Sequence, residues 1–118
     1  MTVLTGEIYG WGIFSLSKSD GSVLMHEGNV VQALIGDVAV DYQGRFKQGD
    51  WFLSSRIISF DKHDRLVESQ NSRYKLLGPG YRLCGTQKFF DLFVTVGISS
   101  AMEALPAEYE VLEEFVSL

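Results

Sequence analysis

The chain has 118 residues, 46% of them hydrophobic and 13% aromatic, which is enough to bury one core in one domain spanning 1–118 and excludes a disordered tail. Its single cysteine, Cys84, excludes an intramolecular disulfide framework and a thiolate-built metal site. The net charge of −5 is uneven: residues 1–44 sum to −4, residues 45–88 to +5 and residues 89–118 to −6, so a basic middle is followed by an acidic end.

No basic residue precedes Lys18, so the start of the chain lacks a charged leader followed by a long apolar run. The most apolar stretch, "FFDLFVTVGI", is too short to span a bilayer and contains Asp91. A cytoplasmic protein without a membrane segment is expected. The apolar run "EIYGWGIFSL" is separated by the turn-forming "SKSDGS" from "VLMHEGNVVQALIGDVAV", and "DYQGRFKQGD" separates that from "WFLSSRIISF". Short aromatic and β-branched runs between turns predict a mainly antiparallel sheet. The conformation of residues 23–40 stays open, helical or extended, and so does the register of 51–60, where both faces carry apolar groups.

A β-meander over about 51–77 is predicted from the segment "VESQNSRYKLL". With Asn71 and Ser72 at the centre of a two-residue turn, Glu68 faces Lys75, Val67 faces Leu76 and Ser69 faces Tyr74. One face is then apolar (Val67, Tyr74, Leu76) and the other is charged. Gly78-Pro79-Gly80 reads as the stop and reversal ending that strand. It does not suit a phosphate loop, because proline offers no amide hydrogen and no Lys-Ser or Lys-Thr pair follows. From Pro106 onward the spacing of Tyr109, Leu112, Phe115 and Val116 predicts a C-terminal amphipathic helix, preceded by a short helical piece over about 100–105. The fold class expected is α+β.

The segment 38–82, with Gly44, Arg45, Phe46, Gly49, Asp50, Trp51, Asn71, Tyr74, Leu76, Leu77, Gly78 and Gly80, resembles an uncharacterised family of short proteins from bacteria and their prophages. Leu53, Ser54 and Ser55 stand where related chains tend to carry Arg-Thr-Ser. The resemblance implies a shared fold and a mobile-element setting, and brings no activity with it.

No constellation for catalysis emerges. His63 in "DKHD" and His26 in "MHEG" lack a second ligand cluster, and the former reads as an ordinary polar turn. Cys84 in "RLCGT" reads as a small core residue, Asp50 as a turn cap, and no Gly-x-Ser-x-Gly nucleophile turn occurs. No enzyme activity, metal or cofactor is therefore expected. The basic, aromatic middle (Arg45, Lys47, Arg56, Arg73 and Lys75, with Phe46, Trp51 and Tyr74) suits single-stranded nucleic acid, but interleaved acids and the acidic overall charge oppose it.

The favoured expectation is a non-enzymatic inhibitor or adaptor binding a protein partner with a basic surface. Glu110, Glu113 and Glu114, projecting from the predicted helix, would be among its contacts. The same acids would also suit a merely solvated helix face. Two settings fit: a phage-borne anti-defence protein blocking a host nuclease or CRISPR-type complex, and an immunity protein neutralising a toxin. A homodimer is compatible with the sequence.

Overall fold

The computed structural model describes residues 3–17, 25–26 and 29–116. Its long strands are β1 (Gly6–Leu16), β4 (Gln32–Asp41), β5 (Trp51–Asp61), β6 (Leu66–Ser69), β7 (Arg73–Gly85) and β8 (Tyr109–Phe115). Two short strands, β2 (Met25–His26) and β3 (Asn29–Val30), pair with each other. Two helices, α1 (Gln87–Val96) and α2 (Ile98–Ala104), lie between β7 and β8.

Strands β1, β4, β5, β6 and β7 are each antiparallel to the next. In such a run of five, the last strand points the same way as the first, so closure must be parallel. β7 indeed pairs in parallel with β1, from Gly6↔Tyr74 to Leu16↔Gly85, and the sheet becomes a five-stranded barrel. The expected meander of 51–77 is present as one arc of this barrel.

Bulges decide which side chains enter. Simple alternation along β1 would separate Ile8 from Trp11 and Ile13. Gly10, at φ 55°, sits where the register with both neighbours shifts, and all three become buried together. On β5, two register shifts bring Phe52, Ile57 and Phe60 into one cluster, which explains why no single alternation fits 51–60. At the first shift, the Leu34 amide donates to Ser54 Oγ at 2.9 Å, restoring a bond that the ladder loses. Outward-facing Phe14, Ile35 and Leu83 form a second cluster with Phe89, Phe93 and Ala101, so the helices cover one end of the barrel's outer face.

The hairpin keeps its faces and changes its register. Val67 pairs with Tyr74 and Glu68 with Arg73, two residues away from the expected pairing, and the Ser69 amide donates to the Ser72 carbonyl around Gln70-Asn71. A slip of two preserves side-chain parity, so Val67, Tyr74 and Leu76 are buried as expected. Gly78-Pro79-Gly80 does not end the strand. β7 runs through it, with Gly78 at φ 69° in a bulge opposite Gly10, where the missing proline amide costs no ladder bond.

The expected C-terminal helix is a strand. Residues 80–85 of β7 extend beyond β6 and would leave an unpaired edge, which β8 fills antiparallel from Gly80↔Phe115 to Gly85↔Tyr109. This ladder, together with Phe115 against Trp11 at 5.4 Å and Tyr109 stacked on Phe89 at 5.0 Å, overrides the helical spacing. The short helical piece exists as α2, following Gly97. α1 was not foreseen; Thr86 caps it, its hydroxyl accepting from the Phe89 amide.

A Cβ at Gly80 would lie 2.2 Å from the Trp11 ring, whose residue is fully buried. Gly80→Ala is therefore expected to destabilise the fold by about 1–3 kcal/mol through overpacking, read as a lower urea midpoint. An unchanged midpoint would show that Trp11 is not seated on this backbone.

Candidate functional site

Beside the helices, part of the barrel's outer face stays open. Register sets Asp37 of β4 between Tyr9 of β1 and Trp51 of β5. Val38, next to Asp37, is buried in the barrel core, so the carboxylate is directed outward. Tyr9 and Trp51 are 41% and 42% exposed, although their ring sizes favour burial.

A groove of about 310 Å³ begins at Gly10, the neighbour of Tyr9, and is bounded also by Pro79, Tyr81, Glu114 and Phe115. A side chain at Gly10 would come within 3.2 Å of Asp37 Oδ2, so the carboxylate borders the same bulge that opens the groove. Gly12 leaves space for the Tyr81 ring, whose Cε2 is 3.1 Å from where a Cβ would stand. Burial, followed by the nearby charges of Asp37 and Tyr109, pushes the Tyr81 phenol above its ordinary value. Two carboxylates, Asp37 and Glu114, thus flank a surface of Tyr9, Tyr81 and Pro79, and Trp51 lies on the far side of Asp37.

The acids expected to act together on a helix face are divided by the strand. Glu113 forms ion pairs with Lys62 at 3.1 Å and with Arg82 Nε at 3.5 Å, tying β8 to the β5–β6 turn and to β7. The Arg82 Nε contact is an ion pair without hydrogen-bond geometry. Glu110 and Glu114 are exposed. Among the described residues the ion pairs are Arg45–Asp41, Lys62–Glu113 and Arg82–Glu113, and neither Asp37 nor Glu114 takes part.

The basic residues are also dispersed. Arg45 and Lys47 belong to the 42–50 loop, where Asp41 accepts from the amides of Gln43, Arg45 and Phe46, and Asp50 accepts from the Lys47 amide. Phe46 packs edge-on against Phe52. Arg56 pairs with Ala33 at the far end of β4 from Asp41, about 25 Å away at the usual rise per residue. Arg73 and Lys75 occupy the first turns of the β7 ladder, next to Glu68 and Glu7 respectively, and Arg73 has an interaction partner of its own. Arg45 lines a small pocket with Tyr74, the residue between Arg73 and Lys75, so these basic residues share one end of the barrel while Arg56 stands towards the other.

His63 lies in the turn in which Asp61 Oδ1 accepts from the His63 and Asp64 amides. Cys84 is buried, and burial and then Glu110 push its thiol up, away from a reactive thiolate. The side chain of His26 lies outside the described residues. Among the described residues no helix is long and apolar enough to cross a membrane.

Asp37, Tyr9 and Tyr81 escaped sequence reasoning because they are separated along the chain and meet only through register. The usable signal was the exposed-face alternation around Gly36-Asp37-Val38, hidden by the open conformation of 23–40.

Removing the Asp37 charge should lower the Tyr81 pKa while leaving it above 10.0, since burial is the larger cause. NMR titration of the Tyr81 ring carbon in Asp37→Asn measures this, and an unmoved pKa would separate the two groups. Because the folded value is raised, the contribution of Tyr81 to stability is complete below the unfolded value near 10.0 and is lost as pH rises through the folded one.

The sequence matches the family model for a domain of unknown function, DUF6957, over residues 9–89. No curated protein and no solved structure matches it.

Proposed function

The chain belongs to the family of the domain of unknown function DUF6957, and we propose that it is a non-enzymatic protein-binding domain, an inhibitor or adaptor, that captures a cationic segment of its partner on the groove between Asp37 and Glu114. The observation that carries this reading is the placement of two carboxylates without ion-pair partners among the described residues, Asp37 and Glu114, beside exposed aromatic side chains of the sheet. Aromatic faces attract Lys and Arg by cation–π contact, and flanking acids add charge pairing and steering. An extended segment with alternating basic and apolar residues suits a shallow groove of this kind.

Of the three acids first expected, Glu114 stays in the proposed contact set. Glu110 lies further along β8, and Glu113 has an internal structural role. Nucleic acid has less support, because Arg56 stands apart from the other basic residues, Glu7 and Glu68 lie beside Lys75 and Arg73, and the open face carries acids. An anti-defence inhibitor and a toxin-neutralising immunity protein would each need a surface that recognises a basic partner. Phage genes or an adjacent toxin gene would distinguish them.

Selection from a displayed random-peptide library against the folded protein tests the reading. Enriched peptides should contain Arg or Lys among apolar residues and perturb the amide resonances of Tyr9, Asp37, Trp51 and Tyr81. The Asp37→Lys/Glu114→Lys variant should weaken binding at least tenfold and flatten its salt dependence. Enrichment of acidic peptides, or perturbations confined to the 42–50 loop, would overturn it.

A further inference from the structure

A second concavity, of about 320 Å³, lies where the ends of β1 and β4 and the middle of β5 meet α1. None of its lining residues borders the groove described above. Its walls are Phe14, Leu16, Ala33 and Phe90, and its polar groups include Arg56 and Gln32. Phe14 and Phe90 stand 5.8 Å apart in the aromatic cluster that attaches α1 to the barrel, so this wall belongs to the rigid core.

Arg56 is partly buried on β5, and no carboxylate among the described residues forms an ion pair with it. A guanidinium is a fork of donors with no acceptor, and held against apolar surface it favours an anion with matching planar oxygens. Gln32 donates to Ser15 Oγ at 3.2 Å, which leaves its amide nitrogen a second hydrogen to offer. Gln87, also in the lining, is held at 2.8 Å to Asp91 on its own helix.

We propose that this pocket binds a small monocarboxylate with an apolar tail, a medium-chain fatty acid, with the carboxylate on Arg56 and the tail between Phe14, Leu16 and Phe90. The volume sets the size. At about 30 Å³ per water-sized group, 320 Å³ holds roughly ten non-hydrogen atoms, the size of octanoate and the lower end of ligand pockets, which start at about 300 Å³. Charge sets the class: one cation above an apolar floor selects a carboxylate over an alcohol of equal length and rejects an alkylammonium. The site is independent of the proposed protein-binding groove, and each can fail without the other.

The experiment titrates the full chain with octanoate, octanol, octylammonium and acetate at about 1 mM, the affinity range expected of so few atoms, following amide resonances. Octanoate should shift residues 31–33, 56 and 87–90. Octanol should bind about tenfold more weakly, the value of one charged hydrogen bond, and acetate and octylammonium more weakly still. Arg56→Gln should abolish the preference for octanoate over octanol, and Ala33→Phe should weaken both by filling the pocket. No octanoate shifts, shifts elsewhere on the protein, or equal binding of octanol and octanoate by the parent would overturn the proposal. The ligand comparison needs no variant, so a variant that misfolds does not remove the test.

Discussion

The barrel closes because Trp11 is seated on Gly78-Pro79-Gly80. Its indole N–H donates to the Gly78 carbonyl at 3.1 Å, and its ring lies where any side chain at residue 80 would stand. Arg65 donates to the same carbonyl at 2.8 Å, with its guanidinium 5.7 Å from the Trp11 ring. A parallel seam between the first and last strands of a meander has no hairpin to fix its register, so side-chain packing must do so. Trp11 supplies that packing, and Phe60 and Phe115 complete an aromatic cluster that also secures β8.

The same contact shapes the outer surface. Opposed bulges at Gly10 and Gly78-Pro79 turn Trp11 inward and leave a recess outside, next to Asp37 and Tyr81. A feature needed to close the fold therefore also creates the groove proposed to bind a partner. β1 runs there between β4 and β7, so the floor of the recess rests on a paired strand, and little ordering entropy opposes docking.

The acidic end of the chain serves two different purposes. Glu113 pairs with Lys62 and Arg82 at one-third exposure, where such pairs contribute modestly to stability and more to fixing geometry. The exposed Glu110 and Glu114 lie on a strand that pairs only with β7 among the described residues, and charges on such a strand oppose edge-to-edge association of identical copies. An acidic docking surface and protection of an open edge are compatible uses of the same side chains.

Sequence by itself determined the β-rich character, the meander, the buried faces of Val67, Tyr74 and Leu76, and the turns at 41–50 and 61–64. These depend on neighbours within a few residues, where alternation, glycine and Asx chemistry act directly. Tertiary structure alone decided the fate of residues 109–115. Their three-residue apolar spacing suits a helix, but the unpaired edge of β7 and the Trp11 ring demanded a strand, and both partners lie far away in sequence. It also decided the side to which Trp11 points, since bulges shift the alternation by one and only the facing strand shows where they fall. Asp37, Tyr9, Trp51 and Tyr81 became neighbours for the same reason: register between distant strands is set by the packing of the whole barrel, and no local pattern encodes it.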